Sequence, residues 1–129
     1  MTRQRRQSAM LLTTGTVDEF FARSQERARK LDRGERIPAG IRVTFEYPAD
    51  LMQVLSAQRV RLLHAVRAKP ILVSQLASDL KRDRQAVMRD VRLLESFGLL
   101  KMREAPNPGH GRQRIVAPLA ARYQLVANI

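Results

Sequence analysis

The chain has 129 residues, and its 24 Lys and Arg against 12 Asp and Glu give a formal net charge of +12. So large a positive charge on a short chain favours a polyanionic partner, because neutralising phosphates releases their condensed counterions. The alternative is a basic surface that only keeps the protein in solution. The length suits one small domain with an extension, and a partner subunit often completes so small a core, so we expect a dimer.

Several classes of protein are disfavoured by what the sequence lacks. Cysteine is absent, which excludes disulfide scaffolds, thiolate metal sites and cysteine nucleophiles. The two histidines, His64 and His110, have no paired acidic neighbours, so we expect no metal and no cofactor. An enzyme is the least expected class, because no phosphate-binding glycine loop and no nucleophile with its base is found. Without a secretory signal or an apolar run near the ~20 residues that span a bilayer, we expect a cytoplasmic protein.

Residues 1–15 are assigned to a flexible basic arm, since Arg3, Arg5 and Arg6 occur there without apolar periodicity. Such an arm lies along phosphates or enters a minor groove, or it is a solvated terminus with no specific role.

A helix is predicted from Thr16 to about residue 33. Thr16 and Glu19 have the spacing of a capping box, and Gly34 is placed to end the helix in a left-handed conformation. The helix carries a narrow apolar stripe, which includes Val17, Phe20, Phe21 and Leu31. Because this stripe cannot stabilise a lone helix, it should pack on a partner subunit or, alternatively, on its own protomer. We favour the partner, and residues 16–50 are predicted to form the dimerisation region.

The next predicted element is a half-buried strand in which Ile41, Val43, Phe45 and Tyr47 alternate with polar residues before Pro48. A lone strand needs a partner, and the apolar C-terminal segment 119–129, with a strand at 123–129, is the distant candidate. The two are expected to pair directly, within one chain or across a dimer.

Residues 51–118 are predicted to form a helix-turn-helix followed by a wing. Ser56 caps a helix whose buried face contains Val60, Leu62, Leu63 and Val66. A short helix from Ser74, a turn at 81–83 and a longer helix at 84–97 follow, with Asp83 as N-cap and Gly98 as stop. Two strands, 99–103 and 112–116, flank a loop at 106–111 and would form the wing. The predicted fold is mainly α with a small β component, a winged helix-turn-helix with an N-terminal helical extension.

A basic, hydrogen-bonding stripe on the longer helix is suited to the major groove of DNA. Arg84, Gln85, Met88 and Arg89 are predicted to contact bases. Phosphate contacts are predicted for Ser74, Gln75, Lys81, Arg82 and Arg92, and wing contacts to the minor groove or its phosphates for Arg112 and Arg114. In the alternative interpretation these cations form a solvated face whose charge is relieved by Asp79, Asp90 and Glu95.

The segments LSAQRVRLLHAV and SQLASDLKRDRQAVMRDVRLLESFGLL, within residues 55–100, resemble winged helix-turn-helix transcriptional regulators of the MarR-like type. More narrowly, the chain is similar to a group of small prokaryotic predicted regulators in which a strand containing Phe-Glu, here at 43–47, precedes the winged helix. It differs from them in the loop PNPGHG and in lacking an acidic residue after Tyr123. The resemblance implies a dimeric DNA binder, often a repressor, and some members are expected beside toxin genes as antitoxins.

Three functions remain open from the sequence. The first is a homodimeric regulator that reads an inverted repeat whose halves lie about 34 Å apart. The second is an antitoxin that neutralises a cognate toxin protein and represses its own operon; co-purification with a toxic neighbour would identify it. The third, a non-specific nucleoid or RNA-binding protein, is disfavoured for RNA because 4 Phe and 2 Tyr provide few stacking surfaces.

Overall fold

The computed structural model describes residues 9–35, 41–107, 109 and 111–127. These residues form a mixed α/β fold with two three-stranded sheets. In chain order the elements are β1 (Met10–Thr14), α1 (Val17–Asp32), β2 (Ile41–Phe45), α2 (Pro48–Val54), α3 (Ala57–Val66), β3 (Ile71–Leu72), α4 (Val73–Leu80), α5 (Arg84–Ser96), β4 (Leu100–Asn107), β5 (Gly111–Pro118) and β6 (Tyr123–Val126). The predicted arm residues Arg3, Arg5 and Arg6, and His110, lie outside the described residues.

The first sheet is parallel, with the strand order β2-β1-β6. Leu12, in the central strand, lies opposite Val43 on one side and Leu125 on the other. Two sequence-based predictions are therefore wrong. Residues 10–14 are a buried strand and not part of a flexible arm, and β2 and β6 do not pair directly within the chain, because β1 lies between them. The segment MLLTT is too short for periodicity to be read, and the added strand makes the β component larger than predicted.

Helix α1 connects β1 to β2. Because these two strands are parallel, the chain needs a crossover connection between them, and α1 provides it. The predicted capping box is confirmed: the Thr16 hydroxyl accepts from the Glu19 amide at 3.1 Å, and the Thr16 amide donates to the Glu19 carboxylate at 3.3 Å. Gly34 follows the helix with a φ of 74°, also as predicted. No residue of α1 is buried. Its apolar stripe is therefore not covered by the described part of its own protomer.

Pro48 begins a helix, which the sequence analysis missed by treating this proline only as the end of a strand. Proline is well tolerated at the first helical position, where the missing N–H has no intrahelical partner. The helix, α2, buries Leu51 and Val54. The following helix, α3, is capped by Ser56 as predicted, but Val60, predicted to be buried, is 44% exposed. Its other predicted core residues, Leu62, Leu63 and Val66, are buried.

The second sheet has the order β3-β5-β4 and is antiparallel. The predicted hairpin is confirmed, but its strands are longer than expected: Pro106 lies opposite Arg112 and Asn107 opposite Gly111. The loop predicted at 106–111 therefore includes residues 106, 107 and 111, which belong to the paired strands. Pro106 can remain in the strand because β4 is at the edge of the sheet, where its missing N–H costs little.

A continuous apolar core joins the two sheets and the helices between them. Met10 and Leu12 of β1 are fully buried in it, as are Leu62 of α3 and Leu76 of α4. At its edge the rings of Phe45 and Phe97 are 5.6 Å apart. The parallel sheet is thereby packed against the C-terminal end of α5. No helix in the described ranges is long and apolar enough to cross a bilayer.

Candidate nucleic-acid interface

The turn between α4 and α5 is held by hydrogen bonds at both of its ends. Lys81 ends α4 with a φ of 55°, a left-handed conformation that is uncommon for a residue other than glycine. The Arg82 amide donates to the Ala77 carbonyl at 3.0 Å. The Asp83 carboxylate then accepts from the amides of Gln85 and Ala86, at 3.1 and 3.3 Å. The predicted turn at 81–83 and the predicted N-cap are confirmed.

Helix α5 has one buried and one exposed face. Val87, Val91 and Leu94 are fully buried, as their spacing predicts. The opposite face carries exposed residues that the sequence analysis proposed as DNA contacts: Arg84, Gln85, Arg89 and Arg92. Since its 13 residues extend about 20 Å, the helix is long enough to cross a major groove.

The buried arc of α5 is wider than predicted, because it includes Met88 on one flank and Asp90 on the other. Met88 is only 8% exposed and belongs to the core, so the prediction that Met88 contacts bases is wrong. The stripe at 87, 91 and 94 indicates which face of the helix is buried but not how wide that face is. Its width depends on the elements that pack beside the helix.

Asp90 is buried between two arginines. Its Oδ1 accepts from Nε of Arg59 in α3 at 3.1 Å, and its Oδ2 lies 2.9 Å from Nη1 of Arg82 in the turn. The Arg59 guanidinium also donates to the Gln53 carbonyl at 2.7 Å. Arg82, predicted to bind phosphate, is therefore engaged in an internal ion pair, and its side chain is only 21% exposed. Its role is to hold the turn against α5, which corrects the prediction.

The other acids of this segment are also bonded within the protein. Glu95 accepts from the Met102 amide at 2.9 Å, and Asp79 accepts from the Gln75 side chain at 2.8 Å. Within the described residues no acid forms an ion pair with the exposed cations of the turn and α5, which are Lys81, Arg84, Arg89 and Arg92. The acids that the alternative interpretation assigned to relieving this charge are thus used elsewhere. The exposed face of α5 keeps its positive charge.

The β4–β5 hairpin carries cations on both faces, and they differ in their partners. Arg112 and Arg114 share a face with Glu104, which lies 3.2 and 3.6 Å from their guanidinium groups. Lys101 and Arg103 alternate on the other face, are exposed, and form no ion pair with any described residue. The sequence analysis missed these two, although their spacing of two residues in a predicted strand was available as a signal.

Of the proposed contacts at the start of α4, Ser74 is exposed and Gln75 is exposed but bonded to Asp79.

The proposed dimer contacts lie on a different element, α1, and are all exposed: Val17 by 55%, Phe20 by 50%, Phe21 by 58% and Leu31 by 59%. The rings of Phe20 and Phe21 meet edge to face, with centroids 5.9 Å apart. Two separate exposed surfaces, one cationic and one apolar, are therefore present.

Comparisons with known proteins place the chain in a family. No curated protein matches the sequence. A solved structure described as a possible transcriptional regulator from Methanosarcina mazei Go1 is similar at a TM-score of 0.47 with 19% identity, over 57% of this chain and 66% of that one. The chain thus spans slightly less than two thirds of that protein. Disulfide-formed AbfR is similar at 0.43 with 10% identity, over 78% of this chain and 68% of that one. The family model HVO_A0114 matches residues 54–121, from the end of α2 to beyond the hairpin. Because this match covers more than half of the sequence, the chain belongs to the HVO_A0114 family.

Proposed function

We propose that this protein is a homodimeric, sequence-specific DNA-binding transcriptional regulator of the winged helix-turn-helix type. In this proposal α4 and α5 are the helix-turn-helix, α5 is the recognition helix, and the β4–β5 hairpin is the wing. The observation that carries the proposal is the exposed face of α5, whose cations have no acidic partner among the described residues. Contact with phosphates and base edges would stabilise these cations, because such groups supply the missing negative charge.

The residues of this face divide by position into two roles. Arg84, Gln85 and Arg89 occupy the N-terminal half of α5 and are proposed to contact bases, since Arg pairs with guanine O6 and N7 and Gln with adenine N6 and N7. Arg92, one turn further, and Lys81 in the turn are proposed to contact phosphates. The wing is proposed to add backbone or minor-groove contacts through Arg112 and Arg114, which share one face of the hairpin; the side chain of Arg112 is 77% exposed.

A homodimer is proposed because the operator of such a regulator is commonly an inverted repeat, read by two recognition helices about 34 Å apart. The exposed stripe of α1, which is Val17, Phe20, Phe21 and Leu31, is the contact that the sequence predicts for this dimer. Repression is the mode that the resemblance to MarR-like regulators implies.

Selection of bound fragments from genomic DNA, followed by footprinting, tests this proposal. Replacing Arg84 and Arg89 with Ala should remove the preference for the selected site over random DNA by about 30-fold or more, because each bidentate contact contributes roughly 1–3 kcal/mol of discrimination. The double variant Arg27→Ala/Lys30→Ala is the matched control, since it removes two exposed cations from α1 and leaves α5 intact. It should keep the preference. An unchanged footprint in the α5 variant would contradict the role assigned to this helix.

A further inference from the structure

Strand β6 forms an open edge of the parallel sheet. The sheet order places β1 on one side of β6 and no described strand on the other. Its four residues, Tyr123–Val126, include no charged side chain, and Leu125 and Val126 are 52% and 47% exposed. Exposed edge strands usually carry charges or proline that prevent another strand from pairing with them. The opposite edge, β2, carries Arg42, whereas β6 has no such protection.

An apolar cavity of about 200 Å³ lies alongside this edge, between β6 and α3. Its walls include Leu12 of β1, Leu63 of α3 and Leu125 of β6. Leu12 and Leu125 are opposite each other in the register, so both lie on the same face of the sheet. A strand added beside β6 would extend that face and place alternate side chains over the cavity. Since a cavity of about 150 Å³ admits benzene, this one has room for a side chain of leucine size.

The position of Val60 is consistent with a missing neighbour at this edge. Val60 also lines the cavity, and it is 44% exposed although the periodicity of α3 predicts burial. A side chain inserted from an added strand would cover it. The sheet edge at β6, the cavity and the exposed valine can all be covered by one occupant, a β-strand with an apolar side chain directed towards α3.

We propose that this strand is β6 of a second copy, so that two parallel sheets join through an antiparallel β6–β6 pair into one six-stranded sheet. A two-fold axis perpendicular to the sheet keeps the two inner faces on the same side, and it directs Leu125 of the partner subunit towards the cavity. Each copy carries a net charge of +12, but β6 itself is uncharged, so pairing two β6 strands places no like charges opposite each other in the strands; Arg67 and Arg122 lie at the cavity rim and not within them. The inference rests on the homodimer of the proposed function, and it names the surface that forms it.

This interface differs from the one predicted on α1. Helix α1 contacts β2, at the far edge of the sheet, through a hydrogen bond of 3.3 Å from Arg23 to Thr44. In the six-stranded sheet the two β2 strands are outermost, and neighbouring strands are about 4.8 Å apart. The two α1 helices therefore lie on opposite sides of the joint, and the β6 pair and an α1 pair describe two different dimers.

Single-cysteine variants of the full chain separate these dimers without background, because the natural sequence has no cysteine. Gln124→Cys, Leu125→Cys and Val126→Cys are each oxidised in solution, and disulfide-linked dimer is quantified on non-reducing gels. Facing residues of an antiparallel pair have Cα atoms about 4.5–5.5 Å apart, within the range of a disulfide. We expect one of these positions, the one nearest the two-fold axis, to cross-link at least about fivefold more than the control Phe21→Cys on α1. Equal or greater cross-linking at Phe21 overturns the proposal.

A second variant tests the interface without a disulfide. Leu125→Lys places like charges near the axis and should raise the dimer dissociation constant at least about tenfold, measured by light scattering over a range of concentrations. Circular dichroism and thermal unfolding establish that the variant is folded, and retained binding to a single half-site confirms that α5 is intact. Phe21→Asp, in contrast, should leave the dimer unchanged.

Each remaining outcome also decides the question. A dimer that survives Leu125→Lys but not Phe21→Asp places the interface on α1 and overturns the inference. A wild-type chain that stays monomeric also overturns the inference. If that monomer binds an added acidic peptide, seen as an increase in mass by light scattering, the occupant of the β6 edge beside Arg67 and Arg122 is a strand of another protein. If the α5 variants keep their DNA preference while β6 still cross-links, the proposed function fails and the interface stands.

Discussion

Helix α5 and the crossover helix α1 use the same local signals at their ends and differ in how much of each helix is buried. Helices α5 and α1 both begin at a capping side chain and both end before a glycine of positive φ. Yet α5 buries five residues and α1 buries none. Capping and periodicity therefore determine where a helix begins and ends, whereas burial against neighbours determines how strongly it is held. Helix α1 lacks such burial within the described residues.

The largest expected difference between the two regions concerns their ion pairs. Asp90→Ala should lower the free energy of unfolding by about 4 kcal/mol, because it leaves Arg59 and Arg82, with side chains 24% and 21% exposed, without their shared carboxylate. Urea denaturation measures this loss. Glu26→Ala, which breaks the exposed Arg29–Glu26 pair of α1, should not move the global unfolding midpoint. A loss below about 1 kcal/mol for Asp90→Ala would show that water replaces the carboxylate. The ion pairs of α5 and α1 would then contribute equally little to stability.

The next largest difference is expected from truncating one leucine in each helix. Leu94→Ala should cost about 3 kcal/mol, since Leu94 is fully buried and its removal leaves a cavity. Leu31→Ala should cost less than about 0.5 kcal/mol in dilute protein, because Leu31 is 59% exposed. Repeating both measurements at high protein concentration sharpens the comparison. A cost at Leu31 that grows with concentration would identify α1 as part of an intersubunit contact.

Smaller effects are expected at the two helix caps. Asp83→Ala should lower the free energy of unfolding by about 1 kcal/mol, because two amides of α5 lose their acceptor within a cooperatively packed segment. Thr16→Ala removes an equivalent bond from α1. We expect it to reduce helix content in circular dichroism without shifting the global midpoint, since α1 can fray independently. Equal shifts in the midpoint for both variants would show that α1 unfolds together with the core.

The smallest expected effect is a pH dependence confined to α1. The hydrogen bond from Arg29 is the main reason that the pKa of Glu26 lies below its ordinary value of 4.5, with further contributions from the charges of Arg29, Arg33 and Lys30. A lowered pKa means that this stabilisation of α1 is present above pH 4.5 and is lost as the pH falls through the lowered value. Circular dichroism of the wild type and Glu26→Gln should differ at neutral pH and converge in acid. A difference that persists below the lowered pKa would contradict this assignment.

The helix-turn-helix segment is the part of the fold that the sequence predicts best. Asp83, Gly98 and the stripe at 87, 91 and 94 each act over a few residues, so their consequences can be read without the tertiary structure. The burial of Met88 could not be read in this way. It depends on how closely other elements approach the flank of α5, which is a property of the assembled core.

The strand β1 and the partners of the cations required information from distant residues. Thr13 is buried between Thr44 of β2 and Val126 of β6, which are both more than 25 residues away in sequence. Likewise, Asp90 looks like one of several acids that dilute the charge of α5, until Arg59 from α3 is seen beside it. The candidate site could thus be located from sequence, but which of its charges are free could not.

Arg59 also gives the molecule a mechanical connection. Its guanidinium bonds to the Gln53 carbonyl at the end of α2 and to Asp90 in the middle of α5, while Asp90 in turn lies against Arg82 of the turn. Arg59 therefore links α2, which follows directly from the parallel sheet, to the middle of α5 through one side chain. In the proposed dimer, these bonds would help to set the distance between the two α5 helices.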